Sequence, residues 1–353
     1  MKKLLAYECK RILLPLCIFT AVAAVIYVAA AFSADLIDQW ALDFNEATGA
    51  PVPGDRAGDT VLYVPAIILA ALCTAVPVMQ FSYRMKKRSV DLWYALPVTR
   101  RALTFVRFAG GLALVLVPYA VSYWAGFAVI ACRDNLFHLQ YYVALFFASL
   151  PAAALLLGTN AFLFTRANRV GDGIFFLLAW AFLLAMQAQY FNYFSFRGMP
   201  SALENLTNYS TYSPLGWLFG GFSSAVRTGE VVIQNPAVVF TLWGVLGAGA
   251  VFGLFFTAKG HPAENAGQIS DTWFGYRTII PVYLFCTMSW AFASSASVSA
   301  AAEVAALVLV AAAGLVAYFA YRRSFRLRLC DVLSLVLSLG AGTLVSAITL
   351  AYL

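Results

Sequence analysis

Residues 12–32 read ILLPLCIFTAVAAVIYVAAAF, with Lys2, Lys3, Lys10 and Arg11 ahead of them. As a helix rising about 1.5 Å per residue, these 21 residues reach about 32 Å, the thickness of a bilayer's hydrocarbon core. They carry no charge, so nothing in the run needs water. A small-residue AxA stands near Ala29 to Ala31, as in a cleaved leader. The run is longer than a leader's apolar region, and further apolar segments follow it, so retention as a first span is the better reading.

The rest of the chain extends this pattern. Of its 353 residues, 62% are hydrophobic and 11% charged, where a water-soluble domain carries about 25% charge. Too few charges remain to cover a soluble surface. Nine apolar segments of spanning length occur, at about 12–32, 61–81, 108–130, 139–164, 173–190, 236–257, 278–298, 302–320 and 332–353. Each is continuous and rich in Leu and Ala, unlike the ten-residue alternations of a membrane β-barrel. In lipid, such segments satisfy their backbone hydrogen bonds as helices. The expected fold is all-α: a polytopic bundle of about nine spans (eight to ten), forming one membrane domain over 1–353.

Charge orients the bundle. With the N-terminus in the cytoplasm, the inner segments are 1–11, 82–107, 165–172, 258–277 and 321–331. They hold 19 of the 23 Lys and Arg residues and six of the 16 acidic ones. Only Arg56, Arg133, Arg197 and Arg227 stay outside. The bias of basic residues toward the cytoplasm sets this orientation. The net charge of +7 is dispersed in short clusters between apolar runs. It therefore points to lipid headgroups or a protein partner, and not to nucleic acid. The last segment ends at Leu353 without a flanking charge, and its role as a span, a re-entrant element or a surface-lying one is open.

Two outer segments are long. The acidic, turn-rich 33–60 reads as a compact loop with one helical turn at most. The segment 191–235 opens on Phe191, Tyr193, Phe194 and Phe196, either an interfacial aromatic belt or an external binding surface. Its stretch from Pro214 to Phe222 is apolar enough to dip into the interface. Asn205 and Asn208 match N-x-[ST] but read as ordinary loop residues. Gly249 and Gly253 form a small-xxx-small face for close helix packing, within the subunit or between two copies. Pro65, Pro77, Pro118 and Pro151 kink or bound the spans that hold them.

Catalytic and metal-binding patterns are missing. The sequence has no GxxxxGK[ST], HExxH, GxSxG or CxxC, and only His138 and His261 as histidines. The six cysteines read as small apolar filler. Mid-span polar groups are mild, including Asn160, Gln187, Gln189 and Ser289, without the buried carboxylates that ion-coupled carriers use. The chain is expected to be no enzyme by itself and to hold no cofactor.

The most informative loop is 81–107, FSYRMKKRSVDLWYALPVTRRALTFVR, with seven basic residues and one acid, Asp91. A short helix over Ser89 to Ala95 would place Val90, Trp93 and Tyr94 on one face. Pro97 ends it, and Thr99 caps a following helix that carries Arg100 and Arg101. Two readings stay open: a lipid-facing connector held by its basic residues, or a transverse helix whose apolar face fills a groove on a soluble partner.

This loop resembles a stretch typical of the permease subunits of bacterial ABC-2-type transporters, particularly the multi-span Gram-positive kind. Arg88, Ser89, Asp91, Leu96, Pro97, Thr99 and Arg100 fall on that family's pattern RS-x-D-x-x-x-x-LP-x-[ST]-R. The basic KKLLAYECKR at 2–11 and the loop AKGHPAENAG at 258–267, with Glu264, are similar to further family features, and YRRSFRLRLCD at 321–331 more loosely so. The likeness covers most of the chain by architecture and three or four short stretches by motif. Many members have six spans, so nine is a departure.

The resemblance implies a transmembrane subunit of an ATP-driven transporter in the bacterial cell membrane. It would pair with a second permease and with two cytoplasmic ATP-binding cassette subunits, which would bind ATP and Mg. The segment 82–107 would be the coupling loop, with Arg88, Ser89, Asp91, Trp93, Leu96, Pro97, Thr99 and Arg100 toward the partner, and 258–277 with Glu264 a second junction. The implied cargo is a peptide, lipid-like or other amphiphilic molecule, exported or extracted from the membrane. Two other readings are a non-enzymatic membrane scaffold or sensor and an ion-coupled secondary carrier.

Overall fold

A computed structural model describes residues 2–33, 42–44, 51–53, 60–132, 138–193, 214–228, 236–260, 263–296 and 299–352. The described residues of every apolar segment read from the sequence are helical. The long helices are α1 (Lys2–Ser33), α2 (Thr60–Phe81), α4 (Arg100–Cys132), α5 (Leu139–Phe164), α6 (Val170–Tyr193), α8 (Pro236–Thr257), α9 (Tyr276–Ala296), α10 (Ala300–Arg322) and α11 (Leu329–Tyr352). Among the described residues, two shorter helices, α3 (Lys87–Tyr94) and α7 (Pro214–Thr228), lie between them.

Among the described residues, seven helices are long and apolar enough to cross a membrane: α1, α2, α4, α5, α8, α10 and α11. The expected count of nine also included α6 and α9. The described apolar stretch of α6, Val170–Leu183, is too short by itself. Helix α9 is not among the seven. Apolar side chains such as Val245, Phe252, Val308 and Leu309 stand exposed on α8 and α10. A surface of that kind suits an apolar solvent.

Most of 33–60, and with it any helical turn there, lies outside the described residues. Leu42–Phe44 (β1) and Pro51–Pro53 (β2) pair antiparallel, Asp43 opposite Val52. The aromatic residues Phe194 and Phe196, the Asn205 and Asn208 positions and His261 lie outside the described residues.

The chain divides into two compact units. The first holds residues 1–83, 88–162 and 214–263, with α1 and α2 packed on α4. Its core contains a tyrosine cluster. The Tyr27 and Tyr142 hydroxyls meet at 3.0 Å, Tyr123 donates to the Tyr142 carbonyl at 2.7 Å, and the Tyr119 hydroxyl meets Ser149 Oγ at 2.7 Å. In a helix-only bundle, such bonds between helices contribute about 0.6 kcal/mol each. Asn160, one of the mild mid-span polar groups, donates to the Cys73 carbonyl at 3.0 Å and ties α5 to α2.

Glycines set the close approaches. A Cβ on Gly126 would lie 2.2 Å from the Tyr27 ring, so α4 meets α1 there only as glycine. On α8, the close face is Gly247 against Leu155 and Gly253 against Phe162, while Gly249 faces open space. Gly247 and Gly253 thus serve packing inside the unit, with Gly247 in the place expected of Gly249. Helix α7 packs into this core through the buried Leu215, Trp217, Leu218 and Phe219, where the sequence pointed to an interfacial dip. Its 15 residues reach only about 22 Å, too short to span.

The second unit holds residues 84–87, 163–213 and 264–353, with α9 packed on α10, α11 and α6. The last apolar segment, open in role from sequence, is a helix built into this core. A Cβ on Gly342 would meet the Phe285 carbonyl at 2.8 Å. Arg322 grips Asp331 with two hydrogen bonds of 2.9 and 2.7 Å, joining α10 to α11. Ser299 caps α10, its hydroxyl accepting from Ala302 N. The helix ends at Arg323, whose φ of 51° lies in the left-handed region.

Candidate functional site

The loop that carries the sequence motif folds as an amphipathic helix seated on a buried charge cluster. After α2, a 3-10 turn over Ser82–Met85 redirects the chain, and α3 follows. Val90 on its inner side is fully buried. Trp93 packs edge-on to Tyr7 of α1 and beside Tyr83, with ring centroids 5.9 Å apart in both pairs. Under Trp93 lies Arg107 of α4, fully buried, its guanidinium 4.1 Å from the Trp93 ring and 4.7 Å from Tyr83. The two terminal nitrogens of Arg107 have no hydrogen-bond acceptor among the described residues. The aromatic faces take that place, each desolvated cation–π contact contributing up to about 2 kcal/mol.

The countercharge is Glu8 of α1, also buried. Its carboxylate meets Arg107 Nε at 3.0 Å and Arg11 Nη2 at 2.9 Å. Arg11 in turn donates to Gln80 of α2. One carboxylate thus compensates two arginines, and the cluster joins α1, α2, α3 and α4 at one end of the first unit.

The other side of α3 is open. Arg88, Asp91, Leu92 and Leu96 are exposed, Leu92 by 68%. The side chains of Arg88 and Asp91 make no ion pair among the described residues. The sequence left the stripe of Val90, Trp93 and Tyr94 facing either lipid or a partner's groove. Val90 is instead buried within the chain, Trp93 is half-buried against Tyr7, Tyr83 and Arg107, and Tyr94 is half-buried beside Arg100. Ser89 is half-buried at the border and Pro97 exposed. Thr99 caps α4 as read from the sequence, its hydroxyl accepting from Ala102 N at 3.3 Å. Arg100 stacks on Tyr94 at 4.3 Å and reaches the Lys259 carbonyl just past α8 at 3.4 Å.

Glu264 belongs to the second unit. It sits exposed in a 3-10 turn over Ala263–Asn265, and its carbonyl accepts from Gln268 Nε2. The following residues are tied to the turn between α5 and α6. Asn168 N donates to Ser270 Oγ at 2.8 Å, and Asn168 Nδ2 to the Ile269 carbonyl at 3.1 Å. The Ser270 hydroxyl and the Tyr276 hydroxyl donate to the two oxygens of Asp172, at 2.8 and 3.0 Å. Gly267 adopts φ +81° so that its N–H reaches the Asn168 carbonyl at 2.8 Å. In the same turn, burial and the nearby Arg84 charge push Arg166 down to about 10, which leaves it charged at neutral pH.

Sequence reasoning missed Glu8, Arg107 and Asp172 as organising residues. Glu8 is the lone acid in a segment of four basic residues, and that oddity was the available signal. The pairing with Arg107, 99 positions away, has no local signature. Among the described residues there is no His, Cys, Asp and Glu group able to hold a metal ion. Comparison with family models, curated proteins and solved structures finds no match to the chain. What the fold defines is a class, a helical bundle of membrane-spanning character with one amphipathic helix anchored at a basic end.

Proposed function

We propose that this chain is the membrane subunit of an ATP-driven transporter, and that the exposed side of α3 is where a separate ATP-hydrolysing chain docks. The observation that carries the reading is the two-sidedness of α3. Its outer side offers Leu92 among Arg88 and Asp91, with Leu96 exposed just past its end, an apolar centre with charges around it, as docking surfaces have. Its inner side is fixed through Trp93 and Arg107 to Glu8 of α1. A push on the outside is therefore delivered to α1 and α4, the longest helices of the first unit. The family likeness of the loop points the same way.

In this reading the N-terminus and the α3 side are cytoplasmic, since most Lys and Arg then face inward, and α6 and α9 complete nine spans. The chain hydrolyses nothing itself. ATP and Mg are bound by cassette partners, and a second permease completes the pathway in a bacterial cell membrane. ATP binding in the partners shifts the helices between two arrangements. The cargo is a peptide, lipid-like or other amphiphilic molecule, moved outward or drawn from the bilayer. The test is purification of the full chain from its own membrane. The wild type should carry Mg-dependent ATPase activity that Leu92→Arg removes while membrane insertion is retained. A wild-type preparation without ATPase activity rejects the reading, and would favour the scaffold or ion-coupled alternatives.

A further inference from the structure

The second unit contains a cavity of about 270 Å³ where α6 begins, α9 begins and α10 ends. Its wall is apolar, formed by Phe175, Ile279, Ile280 and Ala317 among others, and its rim is basic, with Arg169 and Arg323. The lining carboxylate, Asp172, is already engaged by the Ser270 and Tyr276 hydroxyls. The Tyr321 hydroxyl is likewise given to Asp271 at 2.6 Å. Arg169 uses Nε on the Gly267 carbonyl at 2.7 Å. Neither Arg169 nor Arg323 forms an ion pair with a carboxylate among the described residues. Both stand close enough to the Tyr276 hydroxyl to act on it electrostatically.

Arg323 adds a second, independent observation. It closes α10 in the left-handed region, at φ 51°. That position is ordinarily filled by glycine, since a side chain there is strained. A long cationic side chain held in a disfavoured backbone state, beside a cavity, points to use of the side chain. A cation at a helix C-terminus also suits the helix dipole, but exposed lysines and arginines do that without strain.

We propose that this cavity binds an anionic phospholipid. Arg169 and Arg323 hold its phosphate, and one acyl chain lies along Ile279, Ile280 and Ala317. A basic rim over an apolar slot matches an amphiphile whose head is anionic, and the cavity sits at the end of the apolar helices where headgroups lie. At its volume the cavity holds the head and the upper part of one chain, and the remainder stays in the bilayer. The inference needs the membrane reading and is independent of the transporter reading.

The full chain, stripped of lipid in a non-ionic detergent, is titrated with dioleoyl-phosphatidylglycerol, with dioleoyl-phosphatidylcholine and with sodium phosphate, reading lipid retention by native mass spectrometry and the unfolding midpoint. Phosphatidylglycerol should be retained and raise the midpoint, and phosphatidylcholine should not. Arg169→Gln and Arg323→Gly should each weaken retention about tenfold, the loss of one charge-assisted contact. Arg323→Gly relieves the backbone strain, so its lipid-free midpoint should match or exceed the wild type's, which separates lost binding from lost folding. Ala317→Phe, with both arginines in place, should also lose the lipid by filling the slot. Equal retention of both lipids, or wild-type retention by Arg323→Gly, overturns the assignment. So does a full midpoint shift from phosphate alone, which would make this a site for free anions.

Discussion

Arg107 shows how a charge that reads as a topology signal becomes a structural centre. It is buried between two aromatic rings and paired with Glu8, which Arg11 shares. Two cations and one anion make the cluster asymmetric. Glu8→Gln leaves two arginines close together in a buried site without a countercharge, and should cost about 3–5 kcal/mol. Arg107→Met removes the cation–π contacts but leaves Glu8 with Arg11, and should cost about 1–2 kcal/mol. Unfolding of the purified variants in detergent measures both. Equal costs would mean that Arg11, half-exposed as it is, does not hold Glu8. At this scale the sequence was least legible. Its local pattern shows which residues are basic, but a contact between residues 8 and 107 depends on how α1 lies along α4.

At the scale of the element, α3 was visible in outline while the direction of its apolar stripe stayed open. Period and Pro97 placed a short helix correctly, and Thr99 was identified as the next cap. The period cannot say whether an apolar stripe faces the chain itself or a partner, because both environments take Val90 and Trp93 equally well. The burial pattern resolves this and yields a paired test. Val90→Asp puts an unpaired carboxylate into the seat and should cost about 2–4 kcal/mol. Leu92→Asp, on the open side two residues along, should change stability by no more than about 0.5 kcal/mol. In the proposed function the Leu92 change should nonetheless abolish ATPase association. If Leu92→Asp instead unfolds the protein, the outer side of α3 is covered within this chain and is no docking surface. A further element-level expectation concerns α1 on α4. Gly126→Ala forces a methyl group toward the Tyr27 ring and should cost about 1–3 kcal/mol by overpacking, measurable as a lowered unfolding midpoint.

For the whole molecule, hydropathy made the helices legible, since each apolar run of spanning length became one. It could not rank them: α9 is helical and central to the second unit, packed on α10, α11 and α6, yet it is not among the seven. Nor does hydropathy divide the bundle, because residues that knit the second unit, such as Ser270 with Asn168 and with Asp172, stand about a hundred positions apart. The orientation of the bundle rests on charge, and two native thiols test it. Cys132 ends α4 and Cys330 lies at the start of α11, and both are exposed. With the basic ends inward, Cys132 faces outward and Cys330 inward. In intact cells, a membrane-impermeant maleimide should therefore label a variant that retains only Cys132 and spare one that retains only Cys330 until the membrane is opened. Labelling in the reverse order inverts the bundle. It would place α3 and its exposed leucines on the face where no ATP is available, and the proposed coupling would fall with the topology.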